Sequence, residues 1–228
     1  MLTAEISEIF VSIQGEGLYC GQKQVFVRFA GCDLRCAYCD EPAARNRGTS
    51  MALSAVKNGI RRLAGREKAG AVSFTGGEPL LQHEAAAELA FYARELGLQT
   101  HLETNGVRWR ELEKTAPAMT VIAADIKLPG LAGKPLWREH EKFLSVVPEK
   151  TFVKVVVSAG TGAAEFGKSV DLVAAIRPGM PFYIQPVTPM GLLTPPSRAQ
   201  LEVFYKAAAS RLGAVRILPQ LHPLWGIR

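Results

Sequence analysis

Three cysteines in one short segment have the spacing that most directly predicts chemistry. Cys32, Cys36 and Cys39 stand as C-x3-C-x2-C within GCDLRCAYCD. Three thiolates from one loop can hold three irons of a 4Fe–4S cluster and leave the fourth iron open to a ligand. A structural zinc site is the alternative, but such sites usually close with a fourth Cys or His, and no His precedes His83. The spacing therefore favours an iron–sulfur cluster with one open coordination position.

The fourth cysteine, Cys20, is not expected to join this cluster. A predicted strand, residues 25–30, separates it from Cys32, and six extended residues put the two ends of that strand about 17 to 20 Å apart. All four cysteines precede residue 40, so disulfides could not cross-link the fold, and clustering of this kind indicates metal or redox chemistry in a reducing compartment. We interpret Cys20 as a small apolar or incidental thiol.

Six short apolar runs alternate with helical patterns and must position these cysteines. The runs are residues 25–30, 71–74, 99–103, 119–125, 152–157 and 182–185. Helical segments lie between them, and this alternation predicts parallel strands joined by right-handed crossovers. The clearest helix opens at Ser197, which forms a capping box with Gln200, and should end at Gly213. Six units are too few for a closed eight-stranded barrel, so an open doubly wound sheet or a partial barrel is expected.

Unusual polar residues stand at the ends of five of these strands. Cys32 follows the first, the run 75–79 follows the second, Glu103 and Asn105 end the third, and two further groups, 125–127 and 185–186, end later strands. In both architectures function gathers at the carboxyl ends of strands. The pattern therefore predicts one common site.

The cysteine motif and the six-unit pattern together resemble the radical S-adenosylmethionine (SAM) superfamily. The resemblance implies an α/β partial (β/α)6 barrel of mostly parallel strands, a 4Fe–4S cluster, and SAM bound to the open iron, from which an electron generates a 5′-deoxyadenosyl radical. It implies SAM contacts at Tyr38, Gly76, Gly77, Glu78, Glu103, Asn105, Asp125, Lys127 and Gln185. Tyr38 would border the adenine, Gly76 and Gly77 would let backbone approach the cofactor, and Glu78 would accept from its ammonium. Each of these residues, taken alone, is also compatible with a helix cap or a turn.

Two terminal segments, EIFVSIQGEGLYCGQKQVFVRFAGC and LPQLHPLWG, closely resemble the 7-carboxy-7-deazaguanine synthase family. That resemblance implies a lyase that contracts 6-carboxy-5,6,7,8-tetrahydropterin to 7-carboxy-7-deazaguanine with loss of ammonia, in queuosine biosynthesis. It implies substrate contacts at Gln14, Gly15, Glu16, Arg28, Gln220 and His222. Gln14 and Glu16 would meet the polar edge of the pterin, and Arg28 would bind its carboxylate. The chain is expected to be one domain, 1–228, with segments 1–24 and 214–228 closing the substrate site.

The resemblance also implies Mg²⁺, bound partly through a hydroxyl two residues after the last cysteine. This chain has Glu41 at that position. A carboxylate is a good ligand for a hard cation, but it adds charge near an anionic substrate. Either Glu41 ligates the cation or it pairs with an arginine such as Arg45, and we favour a retained magnesium-type site.

A glycyl-radical-enzyme activating enzyme is the alternative, because such enzymes share the cysteine motif and a stretch like Leu34-Arg35-Cys36. They act on a protein loop, whereas the SIQGEG and HPLWG segments favour a small heterocycle. A non-catalytic electron carrier would need a fully ligated cluster, which three usable cysteines do not supply.

Charge and hydropathy exclude other classes of partner. The chain has 27 Lys and Arg against 21 Asp and Glu, a net charge of +6, with no basic run longer than Arg61-Arg62. No basic stripe for nucleic acid is visible. Glu5 and Glu8 stand where a secretory signal would be cationic, and no apolar run approaches the ~18 residues of a membrane span. We expect a cytoplasmic enzyme that takes electrons from a flavodoxin- or ferredoxin-type donor, with a homodimer left open.

Overall fold

A computed structural model describes residues 2–227 of the chain. Its strands are β1 (Thr3–Ile13), β2 (Lys23–Phe29), β3 (Thr49–Ala52), β4 (Ala71–Gly76), β5 (Gln99–Thr104), β6 (Val121–Asp125), β7 (Thr151–Val157), β8 (Phe182–Pro186) and β9 (Val215–Ile217). They form one sheet in the order β3-β1-β2-β4-β5-β6-β7-β8-β9.

The six predicted strands are β2 and β4 to β8, and each pairs in parallel with the next. The strand order runs from β3 to β9 and does not return to its start, so the barrel stays open. The predicted α/β partial barrel of mostly parallel strands is confirmed.

Three strands were not predicted from the sequence. β1 pairs antiparallel with β2 and with β3, and its register shifts between Ile6 and Glu8. Because much of β1 is only half-buried, its apolar alternation is weak. β3 has four residues and β9 has three, which is too short for periodicity to reveal. The fourth predicted strand also begins later than expected, at Val121 instead of residue 119.

The helices are α1 (Leu53–Glu67), α2 (His83–Glu95), α3 (Trp109–Thr115), α4 (Pro129–Ala132), α5 (Trp137–Val146), α6 (Ala163–Ile176), α7 (Arg198–Ala209) and α8 (Leu221–Trp225). Helix α7 begins as predicted, because the Gln200 N–H donates to Ser197 Oγ at 3.2 Å and the Ser197 N–H donates to Gln200 Oε1 at 2.9 Å. The predicted end at Gly213 is wrong. The helix ends at Ala209, and the Gly213 N–H donates to Pro178 O outside it. Within residues 2–227, no helix combines the length and the apolar composition needed to cross a bilayer.

The main core lies between the sheet and its covering helices. Strand β7 shows how the two faces of the sheet divide: Val153, Val155 and Val157 belong to this core, whereas Lys154 and Val156 face a cavity. Side chains that alternate along a strand point to opposite faces. The face opposite the helices is therefore free to carry the site.

Candidate active site

A cavity of about 520 Å³ opens where the carboxyl ends of the parallel strands meet, a volume within the ~300–1,000 Å³ range of small-molecule sites. Of the residues singled out in the sequence, those in its wall are Gln14, Gly15, Glu16, Arg28, Cys32, Cys36, Tyr38, Cys39, Glu41, Gly76, Gly77, Glu103, Asn105, Asp125, Lys127, Gln185, Gln220 and His222. The one predicted contact outside this wall is Glu78. The five strand ends thus converge on one cavity.

The loop after β2 carries the three cysteines, anchored by the buried Leu34. Cys32, Cys36 and Cys39 are half-buried free thiols in the cavity wall, and burial raises the pKa of the Cys32 and Cys36 thiols. Three free thiols from one loop in one cavity are a donor set that fits a cluster with an open iron. Cys20 does not line this cavity.

Gly76 and Gly77 are required by the protein's own backbone. Gly76 has φ +134°, and a Cβ built there would lie 2.1 Å from Phe29 O. At Gly77 a Cβ would lie 2.0 Å from Gly31 O. The two glycines therefore let the end of β4 pack against the start of the cluster loop. This reason differs from the expected approach of cofactor, although both residues also line the cavity.

Glu78 fastens two loops together from beneath the cavity. Its carboxylate is fully buried and accepts from the Leu80 N–H (3.0 Å), the Asn105 N–H (2.7 Å) and Thr104 Oγ1 (2.9 Å). Burial raises its pKa to about 7, against the effect of these hydrogen bonds. This position differs from the expected contact with the cofactor's ammonium. Glu78 instead holds the loop after β4 to the loop after β5.

The residues after β6 form an ion pair beside the cluster loop. Lys127 Nζ donates to Asp125 Oδ2 at 2.8 Å and lies 5.2 Å from the centre of the Tyr38 ring. Burial alone would lower the pKa of Lys127, but Asp125 raises it well above its ordinary value. The pair places a cation and a carboxylate next to the Tyr38 ring, for which the family resemblance implies a place beside the adenine.

His140, on α5, positions these loops and was not found from the sequence. The buried imidazole accepts from the Lys127 N–H at Nε2 (3.0 Å), and its Nδ1 lies 2.9 Å from Gly106 O. One nitrogen must accept and the other donate, so the ring is neutral with its proton on Nδ1. Burial lowers its pKa to about 4. A lone histidine in a helix gives no sequence signal of this bridge.

The N-terminal and C-terminal segments meet at the cavity. Gln14 Nε2 donates to Glu103 Oε1 at 2.7 Å, and the Leu221 N–H donates to Gly15 O at 3.0 Å. Gln220 Nε2 donates to Glu16 Oε1 at 2.8 Å. The SIQGEG segment, residues 12–17, and the C-terminal segment at residues 220–221 are therefore held together by backbone and side-chain hydrogen bonds.

Lys154 is the main cavity residue that the sequence analysis missed. Its Nζ contacts Glu16 Oε2 and lies 3.4 Å from Asp125 Oδ1. The signal was present, because Lys154 is the only charged residue within the strand TFVKVVV. An interior charge in a buried strand requires a partner, and here the partners come from two separate segments.

Arg28 and Glu41 face each other across the cavity wall, with Arg28 Nη1 3.8 Å from Glu41 Oε2. Glu41 thus lies near Arg28 and not in a pair with Arg45, the neighbour considered from the sequence. Among the described residues, Arg28 Nε is buried without a hydrogen-bond partner. Nearby, Glu16, Asp40 and His222 each bring one polar atom within 4.8 Å of the others, although Gln220 already donates to both carboxylates.

Comparison with known proteins identifies the class first. A model of the radical SAM superfamily matches residues 26–130. The crystal structure of QueE from Escherichia coli superposes with a TM-score of 0.65 and 17% identity, covering 94% of this chain and 93% of that one. A radical SAM methyltransferase from Sphaerobacter thermophilus gives a TM-score of 0.69 and 14% identity, over 89% of this chain and 67% of that one. The fold and the three-cysteine loop are those of a radical SAM protein.

Two relatives then define the family. The 7-carboxy-7-deazaguanine synthase of Geobacter sulfurreducens is 35% identical over 98% of this chain and 97% of its own length. That of Methanothermobacter thermautotrophicus is 32% identical over 100% and 99%. The chain belongs to the 7-carboxy-7-deazaguanine synthase family, and membership implies a 4Fe–4S cluster and SAM. A domain of a pyruvate-formate lyase-activating enzyme shares the fold at 14% identity, which does not favour the activating-enzyme alternative.

Proposed function

We propose that this chain converts 6-carboxy-5,6,7,8-tetrahydropterin to 7-carboxy-7-deazaguanine and ammonia. The product and ammonia together contain the atoms of the substrate, so the overall reaction is a lyase reaction without a net oxidant. One observation carries the proposal: the SIQGEG and HPLWG segments meet at the cavity that contains the three thiols. This arrangement supports a polar recognition edge and a cluster site in one chamber.

Gln14 and Glu16 supply that recognition edge. A pterin presents both donors and acceptors on its guanine-like edge, which suits an amide beside a carboxylate. Gln14 is held by Glu103 at 2.7 Å, and the Glu16 N–H donates back to Gln14 Oε1 at 3.1 Å. The two side chains are therefore oriented before a ligand arrives. Gly15 between them has no room for a side chain, because a Cβ would lie 2.7 Å from His222 N.

Arg28 is the proposed ligand of the substrate carboxylate. The Arg28 side chain is 18% exposed, and its guanidinium carbon lies 5.5 Å from the centre of the Phe10 ring. A 3.8 Å contact with Glu41 leaves the buried Nε unpaired among the described residues. A planar fork with an unused donor fits a carboxylate.

The cluster and SAM are proposed to occupy the other side of the chamber. Cys32, Cys36 and Cys39 would hold the cluster, and when bound the two groups supply a hydrogen-abstracting radical. The residues proposed to line the SAM site are Tyr38, Gly76, Gly77, Glu103, Asn105, Asp125, Lys127 and Gln185. Glu78 and His140 would act indirectly, by holding the loops that carry these contacts. A flavodoxin- or ferredoxin-type donor would supply the electron. The enzyme would act as a monomer or as a homodimer.

We also propose a Mg²⁺ site at Glu41. Its carboxylate is a hard oxygen ligand at the cavity wall. The 3.8 Å separation between Arg28 Nη1 and Glu41 Oε2 is too long for a hydrogen bond, so Arg28 does not occupy this carboxylate oxygen. If the proposal holds, turnover falls with a chelator and returns with Mg²⁺, and Glu41→Thr binds the cation more weakly. Full activity in metal-free buffer would contradict it.

The experiment that tests the function is anaerobic turnover by the reconstituted enzyme. Incubation with SAM, reductant and the carboxylated tetrahydropterin should yield the deazaguanine and an equal amount of ammonia. The matched control substrate is tetrahydropterin without the 6-carboxylate, which Arg28 could not retain. SAM cleavage without deazaguanine formation from the carboxylated pterin would reject the proposal.

A further inference from the structure

Lys154 lies between the two halves of the chamber. It stands in register with Asp125 on the neighbouring strand, and its side chain, 7% exposed, points from β7 into the cavity wall. Its ammonium touches carboxylates from two parts of the chain, Glu16 of the SIQGEG segment and Asp125 at the end of β6. Nothing in the three-cysteine motif or the terminal segments predicts this contact.

Each carboxylate also has one oxygen that accepts a hydrogen bond from another residue. Glu16 Oε1 accepts from Gln220 at 2.8 Å, and Asp125 Oδ2 accepts from Lys127 at 2.8 Å. Lys154 is thus the one cation that contacts both carboxylates among the described ion pairs. Without it, the half-buried charge of Glu16 would have no cation in contact among the described ion pairs, and Asp125 would keep only Lys127, which is costly in a poorly solvated wall.

Lys154 also fixes how Glu16 is presented. A carboxylate has about four lone-pair sites; Lys154 takes one on Oε2 and Gln220 takes one on Oε1. Its other lone-pair sites can accept from a ligand's N–H groups. Burial opposes ionisation of Glu16, but the charge of Lys154 holds the pKa of that carboxyl below its ordinary value.

We propose that Lys154 is a positioning residue that holds Glu16 as an oriented acceptor for the N–H edge of the pterin. This inference rests on the proposed function, since it assigns Glu16 to the substrate. Lys154 itself acts through Glu16 and does not contact the reacting atoms. It links the pterin half of the chamber to the SAM half through Asp125.

The test is a double-mutant cycle on the anaerobic holoenzyme with Lys154→Met, Glu16→Gln and the double variant. Losing a charged hydrogen bond that orients the acceptor should raise the dissociation constant of the carboxylated pterin about 10- to 100-fold in Lys154→Met. The dissociation constant of SAM should stay within about threefold of wild type, a change below 1 kcal/mol, because Lys127 still pairs with Asp125. The iron content should stay near about four per chain. Lys206→Met, an exposed lysine on α7, is the matched control.

The decisive readout is non-additivity. If Lys154 acts through Glu16, the double variant binds the pterin as Glu16→Gln does. Independent losses that add would overturn the inference, as would Lys154→Met with unchanged pterin affinity. Should Lys154→Met fail to fold, the double variant removes both charges and its comparison with Glu16→Gln still decides. Wild type that does not bind the pterin would reject the proposed function itself, whereas turnover by wild type with additive losses rejects only the role of Lys154.

Discussion

Glu78→Gln should change the pH dependence of stability in a direction fixed by the burial of this carboxyl. Its pKa in the folded protein is about 7, against an ordinary value of 4.5. Between these values the folded chain keeps a proton that the unfolded chain has released. The free energy of unfolding therefore falls as pH rises from 4.5 to 7, and Glu78 no longer changes it above that range.

The difference of about 2.5 between these two pKa values corresponds to about 3 kcal/mol at 1.36 kcal/mol per pKa unit. Because Glu78 is fully buried, solvent screening does not reduce this figure. Glutamine cannot ionise, so the variant lacks this part of the pH dependence. It has a separate cost at every pH, since its amide turns one N–H toward the N–H of Leu80 or Asn105, a loss of about 1–3 kcal/mol.

Thermal unfolding of the anaerobic holoenzyme at pH 5 and pH 8 measures the effect. About 2.5 kcal/mol of this change falls between pH 5 and pH 8. The melting temperature of Glu78→Gln relative to wild type should therefore rise by roughly 5–10 °C between the two pH values, at 2–4 °C per kcal/mol for a chain of this size. Glu95→Gln makes the same chemical change at the exposed end of α2 and should show no such rise. Parallel curves for wild type and Glu78→Gln would refute the argument, because they would mean that the three donors keep Glu78 ionised throughout.

Three further predictions concern other parts of the site. Cys32→Ala, taken as the representative of the motif, should lose the cluster, whereas Cys20→Ala should retain about four irons per chain; iron analysis that finds Cys20 equally necessary would contradict the strand-separation argument. Arg28→Gln should raise the KM for the carboxylated pterin about 10- to 100-fold, as expected for loss of a charged hydrogen bond, while uncoupled SAM cleavage stays largely intact; equal loss of both would place Arg28 with the fold or the cofactor. The pKa of His140 is lowered to about 4 in the folded protein. Between pH 6.5 and pH 4 the unfolded chain therefore binds a proton that the folded protein does not, so stability falls by about 3 kcal/mol as the pH falls through this range. His140→Phe should lack that part of the acid destabilisation, and thermal melts of both proteins at pH 7 and pH 4.5 that remain parallel would count against the bridge.

The sequence was informative where the type of a residue by itself restricts the structure that it can adopt. Apolar runs that end in polar residues located six strands and the edge where their ends meet, because buried strands exclude charge and parallel strands share a carboxyl end. The same logic was weak for β1, whose half-buried residues alternate poorly, and for β3 and β9, which are too short to alternate.

Partners in space could not be inferred in the same way. The motif identifies Glu78 as unusual, but the donors that surround its carboxylate come from Leu80 and from the next strand's loop, at Asn105. Sequence distance gives no access to such a contact. Lys154 is the intermediate case. Its charge in an apolar strand indicates that it has a partner, but the sequence does not show that this partner is Glu16, 138 positions away.

The Gly-Gly-Glu segment shows why the cysteine spacing alone does not make the site. The Gly77 N–H donates to Phe29 O at 3.1 Å and the Glu78 N–H donates to Gly31 O at 2.7 Å, so the residues after β4 are hydrogen-bonded to the end of β2 and the start of the cluster loop. Glu78 then binds the Asn105 N–H, which adds the loop after β5 to the same unit. A side chain at either glycine would push the loop away, because its Cβ would meet backbone at about 2 Å. Three thiolates can bind a cluster in a defined orientation only if their loop has a fixed position, and in this fold that position is set by two glycines and a buried carboxylate beneath the cavity.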